Sequence, residues 1–279
     1  MPFLIPALLL YAVFVCYPTV AVLAVSFFRW DGISPSPQFV ALENYVQTFG
    51  HDPIFCRALA NSTLWTVLSL IIPTTIGLCL ALALNKPLLG RAVFRTIFYL
   101  PGVIAAIAVA AIWSWMYNPS FGLVSAVLHG LGVNAPDWLG DRDLALLSVF
   151  VPSAWMGSGT NMLLFLAGLQ DVPKELEEAA RADGASRLQL FRHVTLPSLR
   201  PTFVVVFSLA IINSLKAFDL IYGMTAGGPG DASQVLASWS YAQAFNYRNF
   251  GGGAAIAVIL LGITLVAVVP YIRWSQSEE

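Results

Sequence analysis

The sequence predicts an all-α, polytopic membrane protein with six transmembrane helices, and three observations carry that expectation. Of 279 residues, 58% are hydrophobic and only 10% are charged, against roughly 25% charged in an ordinary soluble domain. Five runs free of Asp, Glu, Lys and Arg reach the roughly 20 residues that a spanning helix needs, and a sixth is interrupted only by Lys216 and Asp219. None alternates with period two, which excludes a lipid-facing barrel and leaves helices to satisfy the backbone.

The expected spans are Phe3 to Phe28, Ala58 to Leu84, Thr96 to Trp115, Leu144 to Leu169, Thr202 to Tyr222 and Gly251 to Ile272. The first begins at the initiator with no basic leader and is too long for a signal-peptide core, so it is read as a span. A start that has lost a basic tail upstream fits better than a cleaved leader. Loops between spans two and three and between four and five carry Lys86, Arg91, Arg95, Lys174, Arg181, Arg187, Arg192 and Arg200, and the tail adds Arg273. The opposite loops hold Arg29, Arg57, Arg142 and Arg248. This bias places both termini and the 170–201 loop in the cytoplasm.

The opposite loops are rich in Pro, Gly, Asn and Trp, which suits structured turns that seat something outside the cell, with plain linkers as the alternative. Trp and Tyr near span ends read as interfacial anchors. Cys16, Cys56 and Cys79 lack metal-like spacing and read as packing. His129 and His193 suggest no metal site. Asn61-Ser62-Thr63 matches a glycosylation sequon but opens a span, so the match is read as chance. No internal repeat is visible, and residues 1–279 read as a single transmembrane domain.

The charged island from Asp171 to Pro197 is expected to form a helix-turn-helix at the membrane surface. Val172-Pro173 starts a helix whose positive end faces Glu175, Glu177 and Glu178, and Gly184 ends it. Ser186 and Gln189 spell a capping box for a second helix, expected to stop before Pro197. Small Ala179, Ala180 and Ala182 admit close approach by another backbone, while Leu188, Leu190 and Phe191 offer an apolar face. Packing of the hairpin on its own bundle is the alternative. Its basic and acidic residues balance, so nucleic acid is not an expected partner.

Glu178-Ala179-Ala180, three residues, Gly184, nine residues and Val194-Thr195-Leu196-Pro197 resemble the EAA motif, E-A-A-x3-G-x9-I-x-L-P, of binding-protein-dependent ABC importer permeases. Phe218-Asp219-Leu220-Ile221-Tyr222, Thr225, Gly227-Gly228-Pro229-Gly230 and Ala244-Phe245 resemble the MalF-type carbohydrate-uptake branch. The likeness covers the whole chain but excludes the large extracytoplasmic insertion of the maltose member. It implies the type I importer permease (MetI-like) fold in an inner cell membrane. It also implies a coupling helix built from Glu178, Ala179, Ala180, Asp183, Gly184, Leu196 and Pro197 that rests in a cleft of an ATPase.

The implied partners are a second permease, two ATPase subunits that use ATP and Mg, and an extracytoplasmic solute-binding protein. This chain has no G-x-x-x-x-G-K-[ST] loop. It is expected to bind no cofactor and to catalyse nothing itself.

Lys216 and Asp219 need an explanation inside a span, because an ionisable group there is costly unless paired or wetted. Their spacing places them on one helix face, either as a buried ion pair or lining a watery sugar site. Asn213 and Ser214 lie beside them. The fourth span has a second polar stripe in Ser153, Trp155, Ser158, Thr160 and Asn161, with Gly157 and Gly159 permitting close helix approach. Resemblance to substrate-contacting segments of MalF-type permeases adds Met156, Ile212 and Leu215 to Ser153, Gly157, Thr160, Lys216 and Asp219.

The reading is alternating-access import of a sugar or oligosaccharide. Glycerol phosphate, a polyamine or an amino acid are alternative cargoes. A proton-coupled secondary transporter would account for Lys216 and Asp219 but leave the EAA spelling idle. A membrane-bound enzyme would need a converging nucleophile, base and metal, which the sequence lacks.

Overall fold

A computed structural model describes residues 4–276, so the expected span start at Phe3 and the last three residues of the domain lie outside the described residues. Among these, five helices are long and apolar enough to cross a membrane, and a bent pair makes a sixth span. They are Ile5–Val25, Pro53–Leu84, the pair Arg91–Val103 and Ala106–Met116, Ala145–Gln170, Arg200–Thr225 and Phe250–Trp274.

Spans two and four form the centre. Ala81, Leu84, Met162, Phe165, Leu166, Leu199 and Val206 make one buried cluster at the hairpin end, and Trp65, Val109, Val149, Phe150 and Ile221 make another beyond it. Glycine sets the spacing. A Cβ on Gly77 would lie 2.6 Å from that of Asn161, and one on Gly159 would lie 2.1 Å from the Phe98 carbonyl oxygen. The first span instead lies at the edge, with none of its apolar window buried.

The second span starts earlier than expected, at Pro53, because Asp52 caps it. One carboxylate oxygen accepts from the Ile54 and Phe55 amides at 2.9 and 3.0 Å. Its other oxygen accepts from the Trp239 indole at 2.7 Å. At 32 residues the helix is about 48 Å long, longer than a hydrocarbon core of roughly 30 Å, so Arg57 can sit at its watery end.

Two expected straight spans are broken. Arg91–Val103 and Ala106–Met116 meet at 97°, because Pro101-Gly102 ends the helix as a tight turn and Ile104 and Ala105 take extended conformations. The fifth span stops at Leu215 and resumes at Asp219, with Phe218 at φ −140° and ψ −55° between the two pieces. Lys216 and Asp219 therefore do not share one regular helix face, and no ion pair joins them. Both are exposed, so of the two expected arrangements the buried ion pair is absent.

The surface hairpin follows its local code. Lys174–Ala182 is helical, with Pro173 as its cap and Glu175 and Glu177 in its first turn. Gly184 adopts φ +81°. The Ala185 amide donates to the Ala180 carbonyl at 3.0 Å and the Gly184 amide to that of Arg181 at 3.0 Å, a Schellman stop that only a left-handed residue completes easily. The Ser186–Gln189 capping box is present in both directions.

The second helix does not stop before Pro197. It widens into a π turn over Phe191–Thr195, where the Leu196 amide donates to the Phe191 carbonyl, and helix resumes over Leu196–Ser198 with Pro197 inside it. The same device precedes Pro18, where the Tyr17 amide reaches back to the Ala12 carbonyl. A wide turn relieves the clash of a proline ring with the preceding turn.

At the far end of the bundle the loops are built rather than slack. Buried Asn44 donates to the Ser26 and Phe28 carbonyls at 2.8 and 2.9 Å. Phe28–Arg29 pairs with Gln38–Phe39 as a two-stranded ribbon.

Candidate functional site

A cavity of about 400 Å³ opens where the fifth span breaks, between that break and spans two and four. The fourth span contributes Ser153, Gly157, Thr160 and Asn161, which recur along one helix face. The fifth contributes Asn213, Lys216 and Asp219, followed by Phe218 from the non-helical link. The break frees Asn213, Lys216 and Asp219, spaced three apart in sequence, from a single helical register, and all three line the cavity.

None of the side chains of Ser153, Thr160, Asn161, Asn213, Lys216 and Asp219 is committed to a hydrogen bond or ion pair with another described residue. An amide-, hydroxyl- and charge-lined cavity with open donors and acceptors suits a polar guest, because groups that a guest shields from water must be given partners by it. Lys216 and Asp219 balance in charge, which favours a guest of no net charge.

Three expected residues do not line this space. Leu215 is buried, and Met156 packs against the Val149–Phe150 cluster. Ile212 is half-buried beside the cavity without lining it. Trp65, Ser69 and Pro73 of the second span do line it, and reading by residue type missed them. Ser69 was the available signal, a hydroxyl inside an otherwise apolar run.

Ser214, expected beside the site, is buried and helps hold the walls together. Its hydroxyl donates to Thr66 Oγ1 at 2.9 Å, Thr66 donates to the Ser62 carbonyl at 2.8 Å, and Ser62 Oγ accepts from the Leu236 amide at 2.9 Å. Asn61 works alongside, donating to the Ala232 and Gln234 carbonyls at 2.8 Å each. The Ala232–Leu236 segment that follows the Gly227–Gly230 turn is thereby pinned to the second span. Gly227 has φ +87°, and a Cβ there would lie 2.2 Å from the Gln234 side chain.

At the other end the hairpin offers a second surface. Glu178, Ala179, Asp183 and Gly184 are exposed, Ala180 is half-buried, and Glu177 pairs with Arg181 at 3.5 Å. Leu188 is 74% exposed. Leu196 is half-buried and Pro197 exposed, at the root where the hairpin joins the fifth span. The Glu178–Gly184 turn therefore stands off the bundle, with nothing within 4 Å of the space beside Gly184.

A six-span helical bundle with a projecting hairpin between spans four and five and a polar cavity at a broken helix defines a membrane permease. The chain belongs to the family of binding-protein-dependent transport system inner membrane components, whose model matches residues 1–273. It is 35% identical over 277 residues to the trehalose/maltose transport system permease protein MalF of Thermococcus litoralis, covering 97% of this chain and 91% of that one. It is 34% identical over 279 residues to the arabinooligosaccharides transport system permease protein AraP of Bacillus subtilis, covering 99% and 88%. A chain from the crystal structure of a bacterial ABC transporter involved in alginate import superposes with a TM-score of 0.87 at 23% identity, covering 99% of this chain and 94% of that one. That likeness shows the fold, and the importer-permease fold expected from the sequence is the one observed.

Proposed function

We propose that this chain is one permease subunit of an ATP-driven importer for a sugar or oligosaccharide, with the cavity at the fifth-span break as part of its substrate path. The observation that carries the reading is the set of uncommitted groups around that cavity: two amides, the hydroxyls of Ser69, Ser153 and Thr160, and a balanced Lys–Asp pair of charges. Sugars offer many hydroxyls and no net charge, and relatives named for trehalose, maltose and arabino-oligosaccharides share most of the chain's length. A zwitterionic amino acid also balances two charges; glycerol phosphate and polyamines do not.

The EAA hairpin would face the cytoplasm with both termini and rest in a cleft of an ATPase subunit. Glu178, Ala179, Ala180, Asp183 and Gly184 would form the contact, and Leu196 and Pro197 would carry its motion into the fifth span. A second permease would complete the path, a solute-binding protein would deliver cargo, and ATP and Mg would be handled by the ATPases. This chain would bind no cofactor.

The test is uptake of radiolabelled sugars by proteoliposomes holding the complete complex. Lys216→Ala or Asp219→Ala should change the rate or selectivity of import while subunit assembly survives. An unchanged transport profile would reduce both residues to structure.

A further inference from the structure

The cavity at the fifth-span break is the last of three spaces that share lining residues in turn. At the far end a polar pocket of about 300 Å³ is lined by Arg29, Trp30 and Arg248. Trp30 also lines a groove of about 500 Å³ between the first and sixth spans and the segment around Tyr241, and Phe218 lines both that groove and the inner cavity.

Between these two shared residues the aromatic rings touch in series. Trp30 lies 5.7 Å from Phe250, Phe250 lies 5.2 Å from Phe245, Phe245 lies 4.8 Å from Tyr241, and Tyr241 lies 5.2 Å from Phe218. Phe218 then stacks on Tyr222 at 5.1 Å and 15°. Phe245 is 58% exposed and Tyr222 is 38% exposed, so the series is not closed core.

We infer that these six rings form an aromatic relay that hands a sugar, ring by ring, from the far-end pocket to the inner cavity. The inference rests on the carbohydrate reading. A pyranose or furanose ring presents a flat face of C–H groups that packs on an aromatic face, while its edge hydroxyls stay free for water or tyrosine hydroxyls. Both ends of the series open into polar pockets, as a path for such a guest requires. A lipid tail or an apolar helix of the second permease would pack as well on leucine as on phenylalanine or tyrosine, and that difference supplies the test.

The complete complex, with ATPases and binding protein, is reconstituted and assayed for uptake of radiolabelled trehalose, maltose and arabinotriose. The Tyr241→Leu/Phe245→Leu variant should co-purify with its partners and keep basal ATP hydrolysis, yet import the transported sugar about tenfold more slowly at subsaturating concentration. Exchanging the rings, with Tyr241→Phe and Phe245→Tyr, should restore uptake to within about twofold.

Wild-type uptake by the leucine variant overturns the relay, leaves the carbohydrate reading standing, and assigns the groove to lipid or the second permease. Import of an amino acid and of none of the sugars by the wild-type complex removes the carbohydrate reading and the relay with it. Should the double variant fail to assemble, the exposed Phe245→Leu change alone decides on the same two outcomes.

Discussion

At the scale of single residues, the glycines separate two kinds of constraint. Gly184 has empty space around it within this chain, so what constrains it here is its φ of +81°. Gly184→Asn should therefore keep the hairpin, whereas Gly184→Val should distort it at a cost of roughly 1–2 kcal/mol. Purification of the variants should show an intact bundle in both and loss of the ATPase subunits only with valine.

Gly159 is constrained by a neighbour instead, with the Phe98 carbonyl where a side chain would begin. Gly159→Leu should lower stability by about 1–3 kcal/mol, read as a loss of several degrees in the detergent melting temperature. Unchanged melting would mean that spans three and four do not pack this closely.

Asp31 gives a residue-scale pH dependence. Hydrogen bonds from the Ser34 hydroxyl and the Ser34 and Ile33 amides hold its carboxyl down to about 2. A depressed pKa means that the turn is favoured above the unfolded carboxylate range near 3.9 and is lost as pH falls toward 2. Titration of the Asp31 carboxyl by NMR should show the low midpoint, and Ser34→Ala should raise it.

At the scale of elements, the local code and the tertiary context divide the chain. The hairpin was legible because caps are written in adjacent residues: Ser186 with Gln189, and Gly184 after a helical run. Ser186→Ala should cost about 1 kcal/mol and raise hydrogen exchange at the Gln189 amide, leaving exchange in spans two and four unchanged. Protection unchanged at Gln189 would mean that the capping box does not hold the second helix.

The breaks in spans three and five were less legible. Hydropathy registers only that a run is apolar, and a kinked run is as apolar as a straight one. Pro101-Gly102 was a visible warning in the third span. The fifth has no Pro or Gly at Lys216–Phe218, so its break depends on tertiary packing.

The same limit explains the sites. Ser153, Gly157, Thr160 and Asn161 follow helical spacing and converge on the cavity, while Leu215 falls outside it because the helix stops there. A regular helix would have put Lys216 and Asp219 on one face, either as a buried ion pair or lining a sugar site. The break leaves them separate, so a double-mutant cycle should find a coupling below about 0.5 kcal/mol in stability. A coupling of several kcal/mol would restore the buried ion pair.

At the scale of the whole molecule, the hairpin and the cavity lie on opposite sides of one connection. The hairpin's second helix runs through Leu196–Ser198 into Arg200–Leu215, whose far end is the broken wall of the cavity. The turn at Gly184 joins the Glu178 helix to this second helix, which meets the fifth span with only Leu199 between them, so a push on the hairpin would have a short backbone route to that span. ATP-driven sugar uptake by the reconstituted complex tests that link most directly when wild type is compared with the Glu178→Arg/Gly184→Val variant. Import by the wild type should need both ATP and the binding protein, and the variant should import nothing despite an intact bundle. Uptake retained in the variant, or driven by a proton gradient without ATP, would contradict that link.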